Sequence, residues 1–373
     1  MQLDFHEHDQ VLQTLEKSIR SGSSAHAYML HAAGGIGGLK LAHAVAEVLL
    51  LNKSTQSDVH REMIRKLEHP DLHFIYPLVE VKKKNQSSDF IETWRSAYLE
   101  NPYLTLNSWV LQQAGDPNKR PKYYKTEAEA IHKKASLKSY TGAGKVMILW
   151  MPELLQDAVA NKLLKLVEEP PAGMYFLMVS EDPSSVLPTI LSRTQVIKVP
   201  SPSISSVQEK LVAQGIDEES ARIVAEATDG SLGVALENVT NEEDLSSLLA
   251  AFRELLRASF QFKLGLITDW ASEHASLKRE KLKLLIDIGL QSMRKSLYTN
   301  LGLEVALATY EKDFVTKFAP FLTGEFLDEA YPAINRAHYE LDRNGNAKMV
   351  MTNLGIQLAI ALSKTKKKAK AAS

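Results

Sequence analysis

The chain has 373 residues, enough for two or three domains with ordinary cores, and its 45% hydrophobic and 24% charged residues are those of a globular protein. A formal net charge of −1 gives no overall basic field for nucleic acid or an anionic membrane, so any contact with a polyanion must be local. The absence of cysteine excludes disulfides, cysteine nucleophiles and thiolate zinc sites. The polar, acidic start from Met1 to Glu7 is unlike a secretory signal, and no apolar run reaches membrane-span length, so the expectation is a soluble cytoplasmic protein with no membrane partner.

In chain order, the first half alternates strand-like and helix-like segments, as an α/β layer fold does. Tyr28 to His31 is a short apolar run that enters the cluster Gly34-Gly35-Ile36-Gly37-Gly38. A helical pattern follows, with Leu41, Val45, Val48 and Leu49 on one face. Phe74 and Ile75 form a second short strand after His69-Pro70-Asp71. Residues 80–125 read as irregular. They hold Lys82-Lys83-Lys84, then an aromatic stretch with Phe90, Trp94, Tyr98 and Trp109 that is expected to be core, and a loop at 116–121. Thr126 and Glu129 have capping-box spacing and predict a helix through Lys138.

Lys145 to Leu149 is a strongly β-like run, and Leu155 to Val167 carries apolar residues at helical spacing. Glu168-Glu169-Pro170-Pro171 stops that helix, because the residue before proline avoids helical backbone angles and proline lacks a donor. Tyr175 to Ser180 and Gln195 to Val199 are the last strands, and Pro200-Ser201-Pro202 marks a boundary. Residues 203–242 predict two or three short helices broken at Gly215 and Asp229-Gly230, and from about 245 the pattern is helical. The end, Lys364 to Lys370, reads as a basic, disordered tail whose default role is to solubilise the terminus; Lys82 to Lys84 gets the same default.

The glycine cluster has the setting of a phosphate loop, strand before and helix after, but lacks its chemistry. A working loop has the pattern G-x-x-x-x-G-K-[ST], in which lysine neutralises phosphate and a hydroxyl holds Mg²⁺. With Gly37 at the second glycine, Ala32 takes the first glycine, Gly38 the lysine and Leu39 the hydroxyl. Sliding the register to use Lys40 puts Leu39 at a glycine and Leu41 at the hydroxyl. The two acids of an ATP site should follow the next central strand, where Trp150 and Met151 stand instead; Glu153 comes too late, and Trp150 is expected to fill core or interface space. No metal site is expected, and His60 and His69 read as ordinary polar histidines.

The stretch Asn161 to Pro171, with Tyr175 to Asp182, Leu187-Pro188-Thr189-Ile190-Leu191 and Ser192-Arg193-Thr194, resembles the bacterial clamp-loader subunits of DNA polymerase III, Thr194 standing where the family's Ser-Arg-Cys motif has cysteine. Ala25-His26-Ala27-Tyr28, His69-Pro70-Asp71 and Gly230-Ser231-Leu232-Gly233 resemble further landmarks of that family. The resemblance is specific over about residues 10–75 and 140–240 and architectural beyond. Many members carry a four-cysteine zinc module that is missing here, and residues 80–125 are longer than the family suggests, without an assigned role.

The resemblance implies an α/β AAA+ (RecA-like P-loop) domain over 1–200, a small helical lid over 201–243, and an all-α collar with a basic tail over 244–373. The losses at Gly38, Leu39, Trp150, Met151 and Gly233 all fall on ATP turnover, which favours the delta prime branch of the family over its motor branch. No cofactor is expected in the degenerate loop of Gly35, Gly37, Gly38 and Leu39. Arg193, between Ser192 and Thr194, is implied to reach the γ-phosphate on an adjacent motor subunit (gamma/tau), in a complex with the delta subunit, the sliding clamp and primer-template DNA. Two alternatives stand beside this: an ATP-hydrolysing motor subunit, and a purely structural AAA+ scaffold.

Overall fold

The computed structural model of the protein describes residues 8–52, 57–116, 119–216, 218–238, 242–277, 279–305, 307, 310–322, 324–343 and 345–372. The elements in chain order are α1 (Asp9–Arg20), β1 (Ala27–His31), α2 (Gly38–Leu51), α3 (Ser57–Arg65), β2 (Leu72–Ile75), α4 (Ile91–Glu100), α5 (Leu106–Ala114), α6 (Lys125–Ser136), β3 (Lys145–Trp150), α7 (Asp157–Glu168), β4 (Met174–Ser180), α8 (Pro188–Leu191) and β5 (Gln195–Lys198). Helices follow: α9 (Ile204–Ala213), α10 (Glu218–Ala227), α11 (Leu232–Asn238), α12 (Glu242–Phe260), α13 (Leu264–His274), α14 (Arg279–Asn300), α15 (Lys312–Phe318), α16 (Gly324–Asp342) and α17 (Ala347–Ala372). Two compact units emerge, one of Met1–Ser206 with Gly230–Glu237, the other of Val207–Asp229 with Asn238–Ser373.

The first unit is built on a five-stranded, all-parallel sheet in the order β2-β3-β4-β1-β5. The inner strands β1, β3 and β4 are covered on both faces, so they are largely apolar and their side chains alternate between two cores, whereas the margin strand β5 is mostly exposed. Tyr28, Leu30, Val146, Ile148, Trp150, Leu177 and Val179 join the core shared with α2 and the 90–110 region. Their neighbours Met29, Met147, Leu149, Phe176 and Met178 join the other, with Ile131 of α6 and Leu163 of α7. A glycine loop carries the chain from the interior strand β1 into α2, and from Ile204 on every regular element among the described residues is a helix. This is a parallel α/β layer fold followed by helices.

Lys145 opens β3 buried and caps the end of α6, its ammonium donating to the carbonyls of Lys134 (2.6 Å) and Leu137 (2.5 Å). A cation at a helix carboxyl end meets the last carbonyls and the negative end of the helix dipole. Asp71 of the His69-Pro70-Asp71 motif fastens the loop before β3, accepting from Ser139 Oγ, Tyr140 N, Thr141 N and Thr141 Oγ1 at 2.8–3.0 Å. Burial pushes its carboxyl up, but these donors outweigh that and leave it below the ordinary carboxylate value.

In the second unit, α17 packs on α12, α13 and α16, and α14 lies against α12, α15 and α16. Lys295 of α14 reaches Glu311 at 2.6 Å with both side chains buried, and Glu226 of α10 stands 3.7 Å away.

Three expectations are corrected. Residues 80–125 are not irregular: they hold α4 and α5, whose Trp94, Tyr98 and Trp109 are fully buried, as expected for core aromatics. The capping box at Thr126 and Glu129 does not form, because the Thr126 hydroxyl donates to Asn85 Oδ1 (3.0 Å) and Glu129 pairs with Lys162 (2.9 Å); the N-cap of α6 is Tyr124, two residues earlier, without a side-chain cap. The basic tail is not disordered backbone, since α17 runs on to Ala372; the side chains past Lys364 lie outside the described residues, as do Pro117 and Asn118 of the 116–121 loop. No helix among the described residues is long and apolar enough to cross a membrane.

Candidate functional site

Gly37 caps α2 in the left-handed region (φ 98°), and Gly38 sits where a Cβ would stand 2.5 Å from Ala32 Cβ and 2.9 Å from Val179 Cγ1. The expected lysine position is therefore tightly enclosed as well as uncharged. Leu39, at the hydroxyl position, is buried.

The outer side of the loop is covered by the chain itself. Gly233 N donates to Gly35 O (2.9 Å) and Ser231 Oγ to Gly34 O (2.7 Å). Tyr103, in the link between α4 and α5, lies on the loop: its Cε1 is 3.1 Å from where a Gly37 Cβ would be. A Cβ on Gly233 would meet Tyr103 O at 2.0 Å, so only glycine lets these two segments approach. Buried Lys40 donates from Nζ to the Tyr103 hydroxyl (2.8 Å) and sits 4.9 Å from its ring centre. Burial pushes the Tyr103 phenol up. His8 donates from Nε2 to Ile36 O (2.8 Å); burial lowers its pKa, with Lys40 adding to the effect against the carbonyl.

The cavity left among Gly34, Gly35, Tyr103, Leu104, Trp150 and Glu181 measures ≈ 10 Å³. That is room for about one water, whereas pockets for small molecules run to roughly 300–1,000 Å³.

At the end of β3, Trp150 packs in the core against Trp94, ring centres 5.5 Å apart, and its carbonyl accepts from the Tyr123 hydroxyl. Met151 takes a left-handed backbone (φ 58°) and Glu153 turns to β4, accepting from Glu181 N (2.8 Å) and Asp182 N (3.3 Å). Burial raises the Glu153 pKa. Among the described residues no group of three His, Asp or Glu is placed to hold a metal ion. His60 and His69 meet edge to face with ring centres 5.3 Å apart, and His69 Nδ1 accepts from Asp71 N.

Arg193 lies at the other edge of the sheet. The turn after α8 is closed by Arg193 N to Ile190 O (3.0 Å) and Thr194 N to Leu191 O (3.2 Å), and β5 begins two residues on. Gln195 pairs with Tyr28 and Lys198 with His31, so Arg193 stands at the amino edge while the glycine loop leaves the carboxyl edge. At about 3.3 Å per residue the two are separated by roughly 15 Å of strand. The Arg193 side chain is 37% exposed. Nη2 meets Glu168 Oε1 at 2.5 Å, and Nη1 donates to Thr189 O (2.9 Å) and to Ser192 Oγ (3.2 Å). The structure thus brings Gly35, Gly37, Gly38, Leu39 and Trp150 together and sets Ser192, Arg193 and Thr194 apart. Tyr103 and Glu168 are not legible in the sequence because each acts through a contact distant in the chain, and Lys40 reads there only as a possible phosphate ligand.

A family model described as DNA polymerase III, delta subunit, matches residues 7–203. The DNA polymerase III subunit delta' of Bacillus subtilis (strain 168) is 24% identical over 237 residues, covering 62% of this chain and 59% of that protein. The subunit delta' of Yersinia pestis is 46% identical over 59 residues, 15% of this chain and 17% of its own, and that of Escherichia coli (strain K12) 37% over 62 residues, 16% and 19%. The chain therefore spans less than two thirds of the length of these relatives. Among solved structures, a DNA polymerase III gamma subunit-related protein of Thermotoga maritima is 16% identical, covering 95% of this chain and 99% of its own, with a TM-score of 0.35. The RuvB Holliday junction branch migration motor of the same organism is 13% identical, covering 86% and 92%, with a TM-score of 0.37. Because the family model spans more than half of the 373 residues, the chain belongs to the DNA polymerase III delta subunit family, and the curated relatives it matches are delta prime subunits.

Proposed function

We propose that the chain works as a delta prime-type subunit of a clamp loader, turning over no ATP itself and supplying Arg193 to the ATP site of an adjacent motor subunit. The observation that carries this reading is the position of Arg193, partly exposed and about a strand length from the chain's own glycine loop, which supports a role on a neighbouring subunit rather than in this chain's own loop. A guanidinium there would stabilise charge developing on the transferred phosphoryl group. A cavity of ≈ 10 Å³ and the absence of a lysine at Gly38 support the view that the loop holds no nucleotide.

On this reading residues 1–200 act as the RecA-like domain, 201–243 as a lid and 244–373 as a collar that joins the collars of gamma/tau and delta subunits. The assembly opens the sliding clamp and places it on primer-template DNA.

The test is the DNA- and clamp-stimulated ATPase of the reconstituted complex with Arg193→Ala, assembly being checked by gel filtration. At the site it serves, loss of such an arginine lowers turnover by about 10³-fold or more, so the complex should lose most of its stimulated rate. A scaffold reading is favoured by one observation, the ion pair that already satisfies Arg193 within its own chain; unchanged turnover would leave that reading standing. Nucleotide binding by the chain alone would instead support a motor subunit.

A further inference from the structure

The sheet-margin strand β2 continues as extended chain to Leu78, which pairs antiparallel with Lys122 through two hydrogen bonds of 3.0 and 2.9 Å. Just beyond, Val81 and Lys84 exchange backbone hydrogen bonds (3.3 and 3.0 Å) around a two-residue turn formed by Lys82 and Lys83. Both have positive φ, 51° and 65°. Turns of this kind favour Asn-Gly, because a side chain with a Cβ is strained in the left-handed region. Two successive lysines there are a costly choice for a turn that needs only to reverse the chain, and strain of this sort collects at working sites.

Charge points the same way. Lys82, Lys83 and Lys84 are exposed, and the facing segment adds exposed Lys119, Arg120 and Lys122. None of these six forms an ion pair with a described residue, though Lys119 Nζ donates to Ala114 O (3.2 Å) and Lys122 Nζ sits 4.9 Å from the Tyr124 ring centre; Arg20, Lys317 and Arg336, by contrast, are paired along their helices. The nearby acids are Glu80, Asp116 and Asp89, the last engaged with the Asn85 and Gln86 amides. The cluster therefore makes a local positive field on a chain whose net charge is −1.

The shape of the site narrows the partner. It is a projecting turn, not a cavity, so it does not enclose a small anion. Among the described residues no exposed large hydrophobic side chain falls within 78–90 or 115–126, which leaves nothing to insert into a membrane. Protein interfaces are anchored by aromatic residues and depleted of lysine, the reverse of this composition. Lysines as mobile point charges suit a regular phosphate backbone, and the chain belongs to the DNA polymerase III delta subunit family.

We infer that the turn Lys82–Lys84, with Lys119, Arg120 and Lys122 beside it, is a contact site for the phosphate backbone of duplex DNA. This site is separate from Arg193 and does not depend on the arginine's role.

The test uses the full chain and fluorescence anisotropy with a labelled primer-template duplex between 50 and 200 mM salt. Lys82→Gln, Lys83→Gln and Lys84→Gln together should weaken binding about tenfold and lower the slope of log K against log salt by about 2–3, since each phosphate contact contributes roughly 0.9. The pair Lys82→Asn and Lys83→Gly relaxes the turn, so it should raise the melting temperature by a few degrees while also weakening DNA binding. Arg193→Ala should bind the duplex as the unaltered chain does. DNA affinity and salt slope unchanged by the triple substitution would overturn the inference, including the case in which the same lysines prove to hold an acidic protein.

Discussion

Glu168 is the last residue of α7, where the helix presents its partial negative charge, and Glu169 follows it. A carboxylate in that place gains from a cation, and Arg193 provides one. With side chains 37% and 39% exposed, the pair is worth only about 0–1 kcal/mol. A contact this weak can hold the guanidinium without withholding it from a phosphate. Glu168→Gln should therefore shift the urea-unfolding free energy by less than about 1 kcal/mol. It should also leave stimulated ATPase of the complex within about fivefold of the unaltered rate, because 1.4 kcal/mol is a tenfold change. A loss as deep as that of Arg193→Ala would mean that the carboxylate positions the guanidinium for its work. The arginine was legible in the sequence through Leu191-Ser192-Arg193-Thr194, but its partner was not, since Glu168 reads locally as a helix stop before two prolines.

Among the elements, those that the sequence made plain have one environment along their length. Val146 to Leu149 and Leu177 to Val179 are buried on both faces of a parallel sheet, so they read as continuous apolar runs. Helices α4 and α5 were hidden because their aromatics serve a core closed from several directions: Trp94 touches Tyr76, Tyr98, Trp109 and Trp150. The same two helices deliver Tyr103 to the glycine loop, a placement that no local pattern announces. The failed capping box has a similar origin, because Asn85 and Lys162 take the side chains that local spacing assigned to the cap. In the helical unit the tie most open to test joins α14 to the start of α15. Lys295 and Glu311 are 10% and 2% exposed in their side chains, so breaking the pair on one side leaves a buried carboxylate without its ammonium. Lys295→Met should cost about 3–5 kcal/mol in urea unfolding followed by circular dichroism. Adding Glu311→Gln should restore a large part of that cost, and strict additivity of the two substitutions would show that the ion pair contributes no coupling.

At the scale of the whole molecule, the two compact units differ in what acid can do to them. His43 of α2 is buried in the first unit, where Nε2 donates to Ile64 O (2.9 Å) and Nδ1 accepts from the Tyr98 hydroxyl (3.1 Å), an arrangement suited to a neutral ring. Burial lowers its pKa to about 4, with Arg65 assisting against the Ile64 carbonyl. His73 of β2 in the same unit is also lowered to about 4, by burial first and then by Lys134 and Lys145. The folded pKa thus lies below the ordinary histidine value of about 6.5, and the unfolded chain binds protons first as pH falls. Stability from these rings is complete above pH ~6.5 and is lost on the way down to pH ~4, at about 1.4 kcal/mol per pH unit for each. Trp94, Trp109 and Trp150 stand in the first unit and Trp270 in the second, so tryptophan emission reports mainly on the sheet. The urea midpoint followed by that emission should fall steadily between pH 6.5 and 4.5. His43→Gln keeps a donor for Ile64 O but cannot titrate, so it should flatten the slope by about one proton's share whatever its own cost in stability. An unaltered slope in that variant would mean that His43 gains its proton equally well in the folded and unfolded chain, and that the neutral hydrogen-bonded ring beneath α2 is not what acid breaks.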